Sequence, residues 1–311
     1  MTVSETTTPP STSPSTPAPR WNVGENRRPA DGLHPHSQEA ERSESSQRSQ
    51  EPSPRLRADA VSLAYDERMV VDGVTLDVPT GKITVVVGPN GCGKSTLLRG
   101  LGRLLKPRGG SVLLDGEVIT ELPTREVARR LGLLPQQPIV PEGVSVLELV
   151  ERGRHPHHGL FRSWGRADEE AVASALTRTD LVELASVPVD SLSGGQRQRV
   201  WLAMVLAQDT PVLLLDEPTS FLDIAHQLDV LDLVRSLRDQ SGTTVVMVLH
   251  DLAMAARYAD HLVAMSDGRI IAEGPPAQVV TPEVIADVFG VTASVIVDPE
   301  SGTPVVIPRR R

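Results

Sequence analysis

The sequence predicts an α/β fold: a buried sheet carrying a glycine-rich loop, flanked by an antiparallel β subdomain and a helical subdomain. Three observations predict it. Val85-Val86-Val87 is a short β-branched run that suits a buried strand, and it leads through the loop into a helix. Val212-Leu213-Leu214-Leu215 is apolar throughout, as expected of a strand covered on both faces. Residues 57–66 and 70–79 alternate in the manner of antiparallel strands.

The loop runs Gly88-Pro89-Asn90-Gly91-Cys92-Gly93-Lys94-Ser95-Thr96 and fits the phosphate-binding pattern G-x-x-x-x-G-K-[ST]. Its glycines admit backbone angles that a Cβ blocks, so successive N–H groups turn inward and form an anion nest. Thr96-Leu97-Leu98-Arg99 continues as a helix to about Leu105, with its partial positive end toward the phosphates. Lys94 is expected to reach the β- and γ-phosphates of a nucleoside triphosphate, and the Ser95 hydroxyl to ligate Mg²⁺. Cys92 is the single cysteine, which rules out an internal disulfide and suits a reducing compartment. Positive charge nearby is expected to lower its thiol pKa, so that alkylation blocks hydrolysis and bound ATP protects.

The remaining elements follow in order. Gly110 to Leu114, the turn Asp115-Gly116, and Glu117 to Ile119 read as a tight hairpin. Residues 137–208 are helix-rich and form the helical subdomain. Strands are expected over 211–216, 243–249, 261–266 and 269–273, with a helix over about 224–240. Thr281 to Gly290 reads as a helix, and 295–297 with 305–307 as a closing hairpin. The strand at 212–215 ends in Asp216-Glu217, at the strand end where open α/β sheets bind ligands. Asp216 is expected to hold Mg²⁺, and Glu217 to orient and polarise the attacking water.

From about Leu56 to Pro308 the chain resembles an ABC transporter ATP-binding domain, on seven motifs in order. Besides the phosphate loop and Asp216-Glu217, Tyr65 matches the adenine-stacking aromatic and Gln136 the Q-loop glutamine, with Gln137 as the one-position alternative. Leu192-Ser193-Gly194-Gly195-Gln196 matches the LSGGQ signature, Ser220 to Asp223 the D-loop, and His250 the switch histidine. The resemblance implies a P-loop NTPase (RecA-like) core with an antiparallel β subdomain and a helical subdomain. It also implies ATP and Mg²⁺ as cofactors, with Gln136 a further Mg²⁺ ligand. Glu217, His250 and Gln136 are then the catalytic residues. Ser193 to Gln196 and Asp223 contact nucleotide bound by a second copy of the chain in a head-to-tail dimer. The helix opened by Ser193 presents an anion well to that nucleotide.

Cargo is argued from similarity to one group within the family. Residues 152–161, 221–227 and 298–304 are similar to segments of ATPases from ferric-siderophore, haem and cobalamin importers. An importer subunit for a metal chelate is expected, a ferric siderophore first, at the cytoplasmic face of the membrane. Its partners would be an integral membrane permease and, indirectly, a substrate-binding protein. No apolar run approaches the ~20 residues of a membrane span, so the pore is expected on a separate chain. A net charge of −9 gives no basic footprint for nucleic acid. The alternatives are an exporter ATPase, or a soluble ABC ATPase acting on ribosomes or DNA. The second usually needs two such domains or a long coiled-coil insertion, and neither is seen.

Three further segments complete the reading. Residues 1–55 are a Ser/Thr/Pro-rich and polar extension without hydrophobic periodicity, expected to be disordered, and deletion of residues 1–50 is expected to leave hydrolysis nearly intact. His155, His157 and His158 invite a metal site, but Pro156 prevents an i, i+4 display and no nearby Cys or carboxylate set completes it. A polar surface loop is expected there. Arg309 to Arg311 is a short basic tail, expected to be solvated.

Overall fold

The computed structural model describes residues 54–136, 142–158, 164–220 and 222–309. The expectations for the extension at 1–53, for Gln137, Phe161 and Phe221, and for Arg310 and Arg311 lie outside them.

Strands β1 (Leu56–Tyr65), β2 (Arg68–Val78), β4 (Gly109–Leu114) and β5 (Glu117–Val118) form an antiparallel sheet in the order β2-β1-β4-β5. The β4–β5 turn uses Asp115 at φ 50° and Gly116 at φ 84°, the pair of positive angles that a two-residue hairpin of this hand requires. The central sheet runs β10-β9-β3-β8-β7-β6. Its members are β3 (Ile83–Val87), β6 (Leu131–Leu134), β7 (Val212–Asp216), β8 (Thr244–Val248), β9 (His261–Ser266) and β10 (Arg269–Gly274). All pair in parallel except β10, which returns antiparallel on β9. The loop-bearing strand β3 lies between β8 and β9, and every residue of β3, β7 and β8 is buried.

Strand alternation divides the interior in two. Ile83, Val85, Val87, Leu213, Leu215, Val245 and Met247 face one hydrophobic core. Val86, Val212, Leu214, Val246 and Val248 face the other. The second core is shared with the antiparallel sheet and with helix α1 (Lys94–Leu101), through Leu97, Leu98 and Leu101. The first is shared with the helical subdomain: α3 (Val146–Glu151), a 3-10 turn (Arg152–His157), α4 (Arg166–Arg178) and α5 (Gly194–Ala207). The short helix α2 (Thr124–Arg130) precedes β6.

Helix α6 (Ile224–Ser241) follows β7, and α7 (Leu252–Tyr258) follows β8. Beyond β10 come α8 (Pro276–Val279), α9 (Pro282–Phe289) and the hairpin β11 (Ala293–Val297) with β12 (Pro304–Pro308).

The expected elements are present, with one shortened. Helix α1 stops at Leu101 rather than near Leu105. Gly102 caps it and Arg103 takes φ 61°, a left-handed turn that no helix can continue through. Arg309 is exposed, as expected of the tail, and its Nε donates to Ser294 Oγ at 2.8 Å.

Candidate functional site

A cavity of about 610 Å³ opens at the C-terminal ends of β3, β7 and β8. Asn90, Gly91, Gly93, Lys94, Ser95 and Thr96 form one wall; Val70, Gln136, Glu217 and His250 complete it. Six expected residues of the loop and three from distant elements therefore converge on one space.

Two glycines are forced by the cradle. Gly88 has φ 153°, and a Cβ there would lie 2.2 Å from the Met265 carbonyl oxygen. Gly93 has φ 107° and caps α1, with a Cβ only 3.0 Å from the Val70 carbonyl oxygen. Lys94 is buried, and its Nζ donates to the carbonyls of Gly88 and Pro89, at 2.9 Å each. The loop thus holds its own ammonium in place, and two of the three Nζ donors are used in doing so.

The carboxylates divide their roles. Ser95 Oγ donates to Asp216 Oδ1 at 2.8 Å. Burial pushes the Asp216 pKa above its ordinary value, and the Ser95 bond and the charges of Arg99 and Lys94 only partly offset this. Among the described residues no ion pair neutralises it. A buried carboxylate short of positive charge, beside a hydroxyl, is a hard-oxygen donor set that fits Mg²⁺.

Glu217 differs. Burial raises its pKa too, but hydrogen bonds from Gln136, Ser220 and His250 outweigh that and lower it. His250 Nε2 lies 2.6 Å from Glu217 Oε1, and Ser220 Oγ donates to Oε2 at 3.0 Å. The carboxylate only accepts, so Nε2 of His250 carries the proton. Glu217 is therefore held ionised and aimed, on a backbone at φ 53°. Gln136 meets Glu217. Ser220 was legible only as a member of the D-loop; its bond to Glu217 depends on a turn that sequence spacing does not reveal.

The other expected residues lie apart from this cavity. Tyr65, at the end of β1, is half exposed and not among the lining; its hydroxyl accepts from Arg99 Nη1 at 2.9 Å. Ser193 caps α5 in a reciprocal box: its Oγ accepts from Gln196 N at 3.2 Å, and Gln196 Oε1 accepts from Ser193 N at 3.0 Å. Nothing lies within 4 Å of a Cβ built on Gly194, so that face of the helix tip is open. Asp223 caps α6, accepting from His226 N at 3.0 Å and lying 2.7 Å from His226 Nδ1.

Two expectations need correction. Cys92 is buried beneath the loop among Val71, Val86 and Met265, and burial pushes its thiol pKa up despite the opposing pull of Lys94. It is not an activated thiol. The histidine segment is not a plain surface loop either: Arg154 is buried, and His157 Nε2 is bonded to the Gln208 carbonyl at 2.8 Å. Among the described residues no group of three or more His, Cys, Asp or Glu is arranged to hold a metal ion, at this segment or elsewhere.

A loop fit to cradle phosphate, a buried carboxylate fit to a cation and an ionised carboxylate held by a histidine are the parts a nucleoside triphosphatase needs. Comparison places it further. A family model described as ABC transporter matches residues 71–220. The chain is 52% identical over 256 residues to the probable siderophore transport system ATP-binding protein YusV of Bacillus subtilis (strain 168), covering 82% of this chain and 93% of that one. It is 51% identical over 257 residues to the ferric enterobactin transport ATP-binding protein FepC of Escherichia coli (strain K12), covering 83% and 95%. In three dimensions it is similar to the dimeric ATP-binding cassette MJ0796 in a post-hydrolysis state bound to ADP and Pi. The TM-score is 0.64 at 29% identity, covering 71% of this chain and 98% of that one. The chain belongs to the ABC transporter family, as an ATP-hydrolysing, ATP-binding protein.

Proposed function

We propose that the chain powers import of a ferric siderophore through a separate membrane permease, hydrolysing ATP at two sites shared between two copies of itself. One observation carries the shared-site reading. The cavity is lined by the loop, by Ser95 with Asp216 bonded behind it, and by Glu217, yet none of Ser193 to Gln196 lines it. The open tip of α5 has no nucleotide of its own to meet. A second copy, head-to-tail, supplies one. Cargo rests on the relatives, named as ATP-binding proteins of a probable siderophore transport system and of ferric enterobactin transport, together with the similarity at 152–161 and 221–227. Among the described residues no helix is long and apolar enough to cross a membrane, which suits a peripheral subunit at the cytoplasmic face.

In the mechanism, the loop N–H groups and Lys94 bind the β- and γ-phosphates, and the Tyr65 ring takes the adenine. Ser95, Asp216 and Gln136 would hold Mg²⁺, which supplies charge neutralisation on the phosphate oxygens when bound. Glu217 orients water in line with the γ-phosphorus, with His250 fixing the carboxylate and sensing the γ-phosphate. Ser193 and the helix tip of the second copy close over the far side, and Asp223 joins across the same interface. Catalysis is positioning and electrostatics around the transferred group. The substrate-binding protein acts indirectly, by delivering cargo to the permease.

Two experiments test this. Turnover of the purified chain should rise faster than linearly with protein concentration and vanish in Ser193→Ala; linear, Ser193-independent turnover would end the shared-site reading. Cells lacking the chain should lose uptake of iron-labelled siderophore, and unchanged uptake would refute the cargo.

A further inference from the structure

Helix α5 has Ser193 at one end and, at the other, a set of contacts that nucleotide binding does not explain. The last carbonyls of an α-helix find no partner inside it. Here Arg154 Nη1 donates to the Ala207 carbonyl at 2.8 Å, and His157 Nε2 meets the Gln208 carbonyl at 2.8 Å. A carbonyl only accepts, so Nε2 of His157 carries the proton. The Arg154 charge also lies at the negative end of the helix dipole. Both donors come from the one 3-10 turn, Arg152–His157.

That turn is itself firmly seated. Gly153 approaches α5 so closely that a Cβ would lie 2.2 Å from the Met204 carbonyl oxygen. Arg154 Nε donates to Asp168 Oδ1, on the first turn of α4, at 3.0 Å. Arg125 and Arg129 of α2 both donate to the Pro156 carbonyl, at 3.0 and 2.8 Å. Gln208 returns the link, donating to the carbonyls of Ala128 and Leu131 at 2.5 and 3.2 Å. Leu131 opens β6, the strand that leads to Gln136.

We propose that the turn Arg152–His157 is a clamp on the C-terminus of α5, and that Arg154 and His157 are positioning residues setting where Ser193 is presented. The presentation half rests on the head-to-tail reading above. The argument is one of leverage. A helix of 14 residues is a rod of about 21 Å. A tilt of about 3° at the clamped end moves the Ser193 tip by about 1 Å over that length. Displacements of about 1 Å cost on the order of a hundredfold where a reacting group must be aligned. Nearer Ser193 the rod is held by Arg197 Nη1 donating to the Asp190 carbonyl at 3.4 Å and Gln198 Nε2 to the Pro218 carbonyl at 3.2 Å, so the clamp fixes the opposite end and with it the angle at which the tip is presented.

The test uses the purified full chain without permease, so that no membrane contact enters. His157→Ala and His157→Gln are compared with wild type in amide hydrogen exchange along α5, in kcat, and in ATP affinity measured at concentrations where the chain is monomeric. Loss of one such hydrogen bond predicts a three- to tenfold fall in kcat, roughly the equivalent of one net bond. Exchange in the last turn of α5 should quicken, and monomer ATP affinity should hold. His157→Gln, which keeps a side-chain N–H, should recover both lost properties. Arg154→Lys, which keeps the charge and loses the two-way fork, should show the same split.

Wild-type kcat and wild-type exchange in His157→Ala and Arg154→Lys would overturn the proposal. So would a loss of kcat matched by an equal loss of monomer ATP affinity, or no recovery in His157→Gln. Failure of the head-to-tail reading would appear elsewhere, in wild-type turnover indifferent to dilution and to Ser193→Ala.

Discussion

Glu217 shows how much of the chemistry is decided by single side chains. Its backbone is left-handed at φ 53°, a conformation a non-glycine residue holds only when its surroundings impose it. Gln136, Ser220 and His250 together keep it charged against burial. Glu217→Gln should therefore bind ATP, form a stable dimer by light scattering and turn over at least about a hundredfold more slowly, the usual worth of a positioned base. A Glu217→Gln chain that stayed monomeric with ATP and Mg²⁺ would count against the site. Lys94→Ala should abolish nucleotide binding by calorimetry, because no other described ammonium enters the cradle. Cys92 is the opposite lesson. Its position in the motif was plain, but which way its thiol points depends on the loop turning it into the core. Iodoacetamide should label Cys92 slowly in the folded chain and rapidly in denaturant; fast labelling of the folded form would contradict its burial.

Among elements, two helices have the same start. Ser145 opens α3 and Ser193 opens α5, each in a reciprocal capping box with Glu148 or Gln196. Replacing either by Ala should cost about 1 kcal/mol in denaturant unfolding, the typical worth of a cap. Only Ser193→Ala should also stop hydrolysis. Equal kinetic effects from both would reduce Ser193 to a structural cap. The strands were legible from sequence because full burial leaves an apolar run and half burial leaves alternation, and both marks are local. The phosphate loop was legible because its backbone demands glycine at fixed places. The length of α1 was not, since Leu104 and Leu105 extend the apolar pattern past the point where Arg103 turns the chain. The role of residues 152–157 was hidden for another reason: its partners, Ala207 and Gln208, are backbone carbonyls distant in sequence, and a carbonyl leaves no mark in composition.

For the whole molecule, pH dependence centres on a buried pair in the helical subdomain. Burial raises the Asp168 pKa, but bonds from Arg154 and Gly165, with the charges of His158 and Arg154, bring it below the ordinary 3.8. A carboxyl depressed in the folded state stabilises above its unfolded pKa, and that contribution is lost as pH falls through the folded value. Asp168→Asn should therefore be less stable than wild type at pH 7, by about 3 kcal/mol for an orphaned buried guanidinium. The gap should narrow on acidification below about pH 4 in paired thermal melts. A gap constant with pH would show the pair to be electrostatically idle.

The alternation of β3, β7 and β8 reaches further. Odd and even positions of one strand answer to different interiors, so neighbouring residues of β3, β7 and β8 report to opposite faces of the sheet. The two faces are still tied at one edge, where Arg130 of α2 pairs with Glu117 of β5 while Arg125 and Arg129 donate to the Pro156 carbonyl. Trimming Leu215 should quicken amide exchange first in the helical subdomain, and trimming Leu214 first in the antiparallel sheet.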